Sequence, residues 1–397
     1  MKFDLLTIDD LGKLDRGRSR NRPRDDQSLY GGLYPFIQTG DVKHAPFYIT
    51  SYIQTYNEKG LAQSKLWKRG TLCITIAANI ADTAILAIDA CFPDSILGFT
   101  SYKEKSNVKF VKYCFDVYKT TLEAISKGTT QDNLSLDKLR KIKFRIPNPT
   151  IQLKIAAVLS TYDDLIENNN HRIAILEKMA EELYREWFVR LRFPGHEKVK
   201  IIKGVPEGWE VKRIKEVVDR KGFGRIYRES ELQPEGKIIV IDQSLNEYLG
   251  FYDGEPAHSA TEDSPIMLFG DHSCKMQIMI TPFSLAENVI PFVAKGEMPT
   301  AFLFYLIHNS IETTEYKRHW TELVNKEVYI PKEHLQSEFA RIVISNIHQK
   351  EKLISIKRRI KIVRDRLLSH LMTGKIDVAN LDIQFPDSMR EEAAANA

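Results

Sequence analysis

Two stretches of this chain place hydrophobic residues at alternating steps of four and three. The first runs through Ile155, Leu159, Tyr162, Ile166, Asn169, Ile173, Leu176, Ala180, Leu183 and Trp187, interrupted only by Asn169. A heptad spacing held this long predicts a long helix with a narrow packing seam. At 1.5 Å per residue it extends about 48 Å, more than an ordinary globular helix. The second stretch runs through Phe339, Ile342, Asn346, Gln349, Leu353, Ile356, Ile360, Val363 and Leu367, with a polar middle at Asn346 and Gln349. Polar seam residues weaken a coiled coil but fix its register.

Acidic side chains outnumber basic ones over 152–190, seven to five, and the balance reverses over 333–372, four to nine. This complementarity predicts that the two helices pack together, antiparallel, as a rigid spacer. The alternative is that each packs only on its own globule. Near their ends, 182–188 and 367–372 carry large apolar groups on more than one face. Those faces suit either a further protein partner or the next globule.

The rest of the pattern is duplicated. Strand-like Ile146-Pro147 precedes the first long helix and Ile330-Pro331 the second, and aligning them also aligns Gln152 with Gln336 and Ala156 with Ala340. Upstream, the apolar strand at 34–37 matches 238–241, and 72–76 matches 266–270. Repeats at long period outweigh local signals. The predicted architecture is α+β: two mixed α/β globules separated by two long antiparallel coiled-coil helices, a pseudo-twofold internal repeat. The boundaries read as 1–150 for the first globule, 151–192 for the first helix, 193–332 for a linker and the second globule, 333–373 for the second helix, and 374–397 for a tail. Pro194-Gly195 and Gly204 mark the linker. From Met389 onward the tail reads as disordered.

The chain has 397 residues, 43% hydrophobic and 28% charged, enough for two or three packed domains. No apolar run is long enough for a membrane span, and acidic residues occupy the place of a signal peptide's apolar stretch, so a cytoplasmic location is expected. Four scattered cysteines suit free thiols. The net charge is only +4, so any nucleic-acid surface must come from local clustering.

Such clusters exist. Arg16, Arg18, Arg20 and Arg22 recur at every second position, interleaved with Gly17, Ser19 and Asn21. This reads as a flexible loop suited to phosphates, and arginine can also pair with guanine edges. Polar loops holding Gln38 and Thr39, and Thr129 and Gln131, are further candidates. In the second half the candidates are Lys221, Arg225, Arg228, His272, Lys275, Lys317 and Arg318. The competing reading of each is a solvated surface charge or a plain turn.

Catalytic signatures are missing. Asn148-Pro149-Thr150 lacks what an amino-methyltransferase motif needs, and no GxxxxGK[ST] loop occurs. Asp94 and Glu210-Val211-Lys212 are far apart in sequence, in different halves. No catalytic or metal-binding residue is assigned, which favours a binding subunit. The alternatives are a stand-alone nuclease or methylase-nuclease fragment, and a coiled-coil scaffold without a DNA role.

The segments GTTQDNLS, then IPNP with IAAVLSTYDDLIENNNHRIAILEKMAEELYREWF, then VPEGWEVKRIKEVV and LLSHLMTGKIDV, taken in order, resemble specificity subunits of type I restriction-modification enzymes. The resemblance spans nearly the whole chain and is most specific in the central helical block. It implies two target recognition domains that read a bipartite, asymmetric site on double-stranded DNA, and helices that act as a ruler. It implies docking of methylation subunits, two of them, and of restriction subunits. S-adenosylmethionine, ATP and Mg would then be handled by those partners, with no cofactor in this chain. The loops 149–152 and 331–336 are less proline- and acid-rich than is usual in the family.

Overall fold

The computed structural model describes residues 1–21, 23, 25–126, 134–244, 246–312 and 317–390. The chain divides into two compact units, Met1–Asn169 with Lys357–Ala397, and Asn170–Ile356. Each long helix contributes one segment to each unit.

The first unit holds a five-stranded sheet in the order Gly12–Arg16, Ile96–Ser101, Leu72–Thr75, Thr83–Leu86, Tyr48–Ile49. A four-stranded sheet follows the order Gln54–Tyr56, Tyr30–Phe36, Ala90–Cys91, Leu66–Trp67. Asp4–Leu6 pairs with Phe144–Ile146, the strand that leads into the first long helix.

The second unit repeats this plan. Its four-stranded sheet runs Val218–Arg220, Val289–Ala294, Ile266–Gly270, Met276–Met279, and its three-stranded sheet runs Gly250–Tyr252, Ile238–Ile241, Phe283–Leu285. Glu210–Arg213 pairs with Glu327–Ile330 before the second long helix. In both units the strand matched by sequence, at 34–37 or 238–241, pairs parallel with a strand from later in the chain. The matched strands at 72 and 266 lie within the larger sheets, buried throughout.

The glutamine shared by both repeats has the same task in each. Gln152 Nε2 donates to the Pro147 carbonyl at 3.0 Å, and Gln336 Nε2 donates to the Pro331 carbonyl at 2.7 Å. Proline ends the strand, and the buried amide satisfies its carbonyl where no ladder partner remains.

The first long helix spans Pro149–Tyr184 and closes in a π-helical turn, Arg185–Val189. Pro149 sits at its first position, where a missing N–H costs nothing, and the Asn148 side chain accepts the Ile151 N–H. The second long helix spans Glu333–Thr373.

Within the first unit, Ile155 and Leu159 share a core with Leu368, Leu371 and Met372, and Asp163 pairs with Arg364 at 3.2 Å. Within the second, Ala180 and Trp187 share a core with Phe339, Val343 and Ile347, and Glu177 pairs with Lys350 at 3.2 Å. Going forward along one helix goes back along the other, so the helices pair antiparallel and do not pack on their globules alone.

All ten seam positions of the first helix are buried or half-buried, including Ile166, Ile173, Leu176 and Leu183. The second helix differs from expectation. Leu353, Ile360 and Leu367 keep their seam positions, but Ile356 and Val363 are 46% and 44% exposed. Between those shared positions the seam passes one residue further on, through half-buried Lys350, Lys357 and Arg364. The acidic partners Glu177 and Asp163 draw cations into the seam, and the neighbouring β-branched residues turn outward.

The tail also departs from expectation at its start. Val378 and Met389 are fully buried in the first unit's core, and Lys109 Nζ donates to the Ser388 carbonyl at 2.8 Å. Residues 391–397 lie outside the described residues. Among the described residues, no helix is long and apolar enough to cross a membrane.

Candidate nucleic-acid interface

The arginine run is not a loose loop. Arg16 ends the strand Gly12–Arg16, and the chain continues extended beyond it. Gly17 N–H donates to the Ile96 carbonyl at 2.9 Å and Arg18 N–H to the Phe92 carbonyl at 3.0 Å. The Ser64 hydroxyl donates to the Arg18 carbonyl at 2.8 Å, and Gln63 Oε1 accepts the N–H groups of Arg20 and Asn21 at 2.6 and 3.0 Å. Strand alternation then sorts the side chains. Gly17 and Ser19 face inward and are buried, while Arg16, Arg18 and Arg20 are exposed on the other side. None of these three guanidinium groups is paired with a carboxylate among the described residues. Arg22 lies outside the described residues, as do Thr129 and Gln131.

Gln38 and Thr39 open the short helix Thr39–His44. Gln38 Nε2 donates to Gln54 Oε1 at 2.5 Å, and its own N–H donates to Asp41 at 2.7 Å. The preceding Ile37 donates to the Cys91 carbonyl at 2.8 Å, next to the Phe92 carbonyl that holds Arg18. Both candidate segments of the first unit therefore anchor on adjacent residues of one chain segment.

In the second unit several of the candidate cations are engaged by neighbouring carboxylates or carbonyls. Arg225 pairs with Glu231 at 2.8 Å and lies over the Tyr227 ring, 4.6 Å from its centroid. The hydrogen bond to Glu231 pushes its guanidinium further up. Glu231 also accepts the Arg228 N–H at 2.8 Å. Lys275 Nζ donates to the carbonyls of Asp242 and Asn246, and burial pushes its ammonium below the ordinary lysine value. It braces the loop between Ile238–Ile241 and Gly250–Tyr252. His272 Nδ1 lies 3.1 Å from the Lys317 carbonyl, Arg318 is 3.8 Å from Asp271, and Lys317 is 3.7 Å from Glu322. Asp271 also accepts the N–H groups of His319 and Trp320. The fold thus brings Lys317 and Arg318 beside His272, with Lys317 facing Glu322 and Arg318 facing Asp271. Lys221 is exposed at the end of the first strand of its sheet.

One basic residue escaped sequence reasoning. Arg220 opposes Phe292 in the second unit as Arg16 opposes Leu97 in the first, and Lys221 donates to Pro291 as Gly17 donates to Ile96. Arg220 therefore occupies the position of Arg16. Its guanidinium lies over the rings of Trp320 and Phe223 at 5.5 and 5.6 Å. Aligning the two strands with the repeat register was the signal that could have revealed it.

Residues 2–178 match the model of the type I restriction modification DNA specificity domain. The chain is 26% identical over 418 residues to the type I restriction enzyme MjaIX specificity subunit of Methanocaldococcus jannaschii, covering 96% of this chain and 94% of that one. It is 25% identical over 190 residues to the type I restriction enzyme HindI specificity subunit of Haemophilus influenzae, covering 45% and 40%. Its fold is similar to the crystal structure of the type I restriction-modification system S subunit from M. genitalium, with a TM-score of 0.56 at 17% identity over 98% of this chain and 97% of that one. With its duplicated sheets and paired long helices, the chain is similar to type I restriction-modification specificity subunits, and residues 2–178 match the family's DNA specificity domain.

Proposed function

We propose that this chain is the reading subunit of a type I restriction-modification complex, each of its two units gripping one part of a split, asymmetric site on double-stranded DNA. The observation that carries this reading is the duplication: the same strand order apart from one edge strand in each sheet, the same strand–proline–glutamine junction and a long helix occur twice. Two similar readers with different loops suit a site of two different parts. The helices would set the length of the unread spacer between them.

The chain would supply recognition and no chemistry. Asp94 and the Glu210–Lys212 pair, the nearest approach to a nuclease set, belong to different units. Methyl transfer from S-adenosylmethionine, and ATP- and Mg-dependent translocation, would belong to methylation and restriction subunits in the cytoplasm. Apolar side chains left outward on the long helices support such docking: Leu165, Ile175 and Met179 on the first, Ile342, Ile356 and Val363 on the second. Exposed apolar residues repeated along a helix mark a protein contact. Two methylation subunits, one for each half of the repeat, fit the duplication.

The test is a footprint. The chain assembled with its methylation subunits should protect two patches of DNA with a gap between them. A single continuous patch would overturn the reading.

A further inference from the structure

We propose that the two units hold DNA unequally: the segment 16–20 of the first unit is a preorganised clamp for the sugar-phosphate backbone, and the described residues of the second unit hold no counterpart row. The proposal rests on the reading of the chain as a DNA specificity subunit.

Arg16, Arg18 and Arg20 stand on one side of an extended chain, so neighbouring guanidinium groups are rooted about 6.6 Å apart. Their inward neighbours fix the row. A Cβ on Gly17 would lie 2.2 Å from the Pro93 carbonyl and 2.5 Å from the Phe92 ring, so only glycine lets the chain lie this close. The Phe92 ring is itself stacked on Trp67, with centroids 4.9 Å apart. Gln63 and Ser64 hold the carbonyl of Arg18 and the N–H groups of Arg20 and Asn21. The backbone of the row is thus held before any ligand arrives, and only the arginine side chains remain to be ordered.

Its chemistry favours phosphate over bases. The row offers donors and no acceptors at even intervals, which matches a regular polyanion. A row of arginines alone can address guanine edges but not a mixed base sequence, which requires donors and acceptors in an order set by the bases.

The second unit places Arg220 where the row begins, but stacks it on Trp320 and Phe223, and follows it with Lys221 in place of the inward glycine. Arg225, Lys317 and Arg318 face Glu231, Glu322 and Asp271. Moving a paired cation onto a phosphate exchanges one carboxylate contact for another anion and releases little net counterion.

The experiment measures duplex affinity of the chain assembled with its methylation subunits, from 50 to 200 mM salt. Replacing three phosphate contacts by R16Q/R18Q/R20Q should make the slope of log affinity against log salt shallower by about 2.7. The sequence methylated should stay the same, and R16K/R18K/R20K should restore the slope. In the second unit, R225Q/K317Q/R318Q should shift the slope by less than about one. Q63A keeps every charge while loosening the row; it should weaken binding with the slope retained. An unchanged slope in the first triple variant, or equal shifts in both triples, overturns the clamp while leaving the specificity reading intact. Failure of the unsubstituted complex to bind any duplex overturns both.

Discussion

The Asp163 carboxylate meets the Arg364 guanidinium at 3.2 Å between the two long helices of the first unit, and the Tyr113 hydroxyl donates to its other oxygen. Their side chains are only 7% and 14% exposed. Burial pushes the Asp163 carboxyl above the ordinary carboxylate range, with Arg364 as the main opposing influence. A buried ion pair adds little net stability over an apolar pair of similar size, but it penalises any register that separates the partners.

Removing one partner should therefore be costly. Arg364→Met leaves a buried carboxylate uncompensated and should destabilise the chain by about 3–5 kcal/mol. Asp163→Leu combined with Arg364→Met should recover most of that loss. Guanidinium denaturation of the full chain measures both. Equal losses in the single and double variants would contradict the account.

The two shared glutamines should differ in weight. Gln152 Nε2 donates to the carbonyls of Lys105 and Pro147, and its Oε1 accepts the Asn107 N–H. Gln336 bonds the Pro331 carbonyl, and its buried Oε1 has no partner. Gln152→Leu should cost about 1–3 kcal/mol in urea denaturation, because it orphans three backbone groups. Gln336→Leu should cost less.

Two glycines of the first unit should respond oppositely. Gly17→Ala forces a methyl against the Pro93 carbonyl and the Phe92 ring and should cost about 1–3 kcal/mol. Gly40 lies in the helix Thr39–His44 with nothing within 4 Å of an added Cβ. Gly40→Ala should be neutral or stabilise by up to about 1 kcal/mol. Thermal melting of the two variants side by side decides.

The second unit should weaken in mild acid. Burial pushes the His308 imidazole below its ordinary value, against the pull of Glu181, and His258 shifts the same way. With the folded value depressed, the unfolded chain binds the proton first. The contribution to stability is complete above about pH 6.5 and is lost as pH falls through the depressed folded value. The melting temperature should drop between pH 7 and 5.5, and His308→Asn should shrink that drop. An identical drop in the variant would remove His308 from the explanation.

Much of the plan was legible because it repeats. Gln152 and Gln336 do the same work in the same place, and repetition separates such a signal from chance. The first helix's seam was equally readable, since a residue such as Leu159 is apolar and its seam position is apolar. The second helix misled at Ile356 and Val363. Hydrophobicity favoured them, but the seam took Lys350 and Arg364, because the carboxylates of Glu177 and Asp163 face them from a segment far away in sequence.

The candidate interface was legible in composition only. Alternation announced Arg16, Arg18 and Arg20 as a set, yet the same spacing fits a loose loop or a pinned strand. Gln63, Ser64 and Phe92 decide between the two, and none is a sequence neighbour. In the same way nothing near Lys275 foretold the loop carbonyls that occupy it.

The sequence by itself determined the duplicated α+β plan, the two long helices and the places where positive charge gathers. These follow from periodicities of three to four residues and from one long repeat, which a single chain carries openly. The tertiary structure alone decided which face of the second helix turns inward, which cations remain unpaired and which glycine must stay a glycine. Those outcomes depend on whether a particular carboxylate, carbonyl or ring arrives from a distant segment, and distance in space is not written in local pattern.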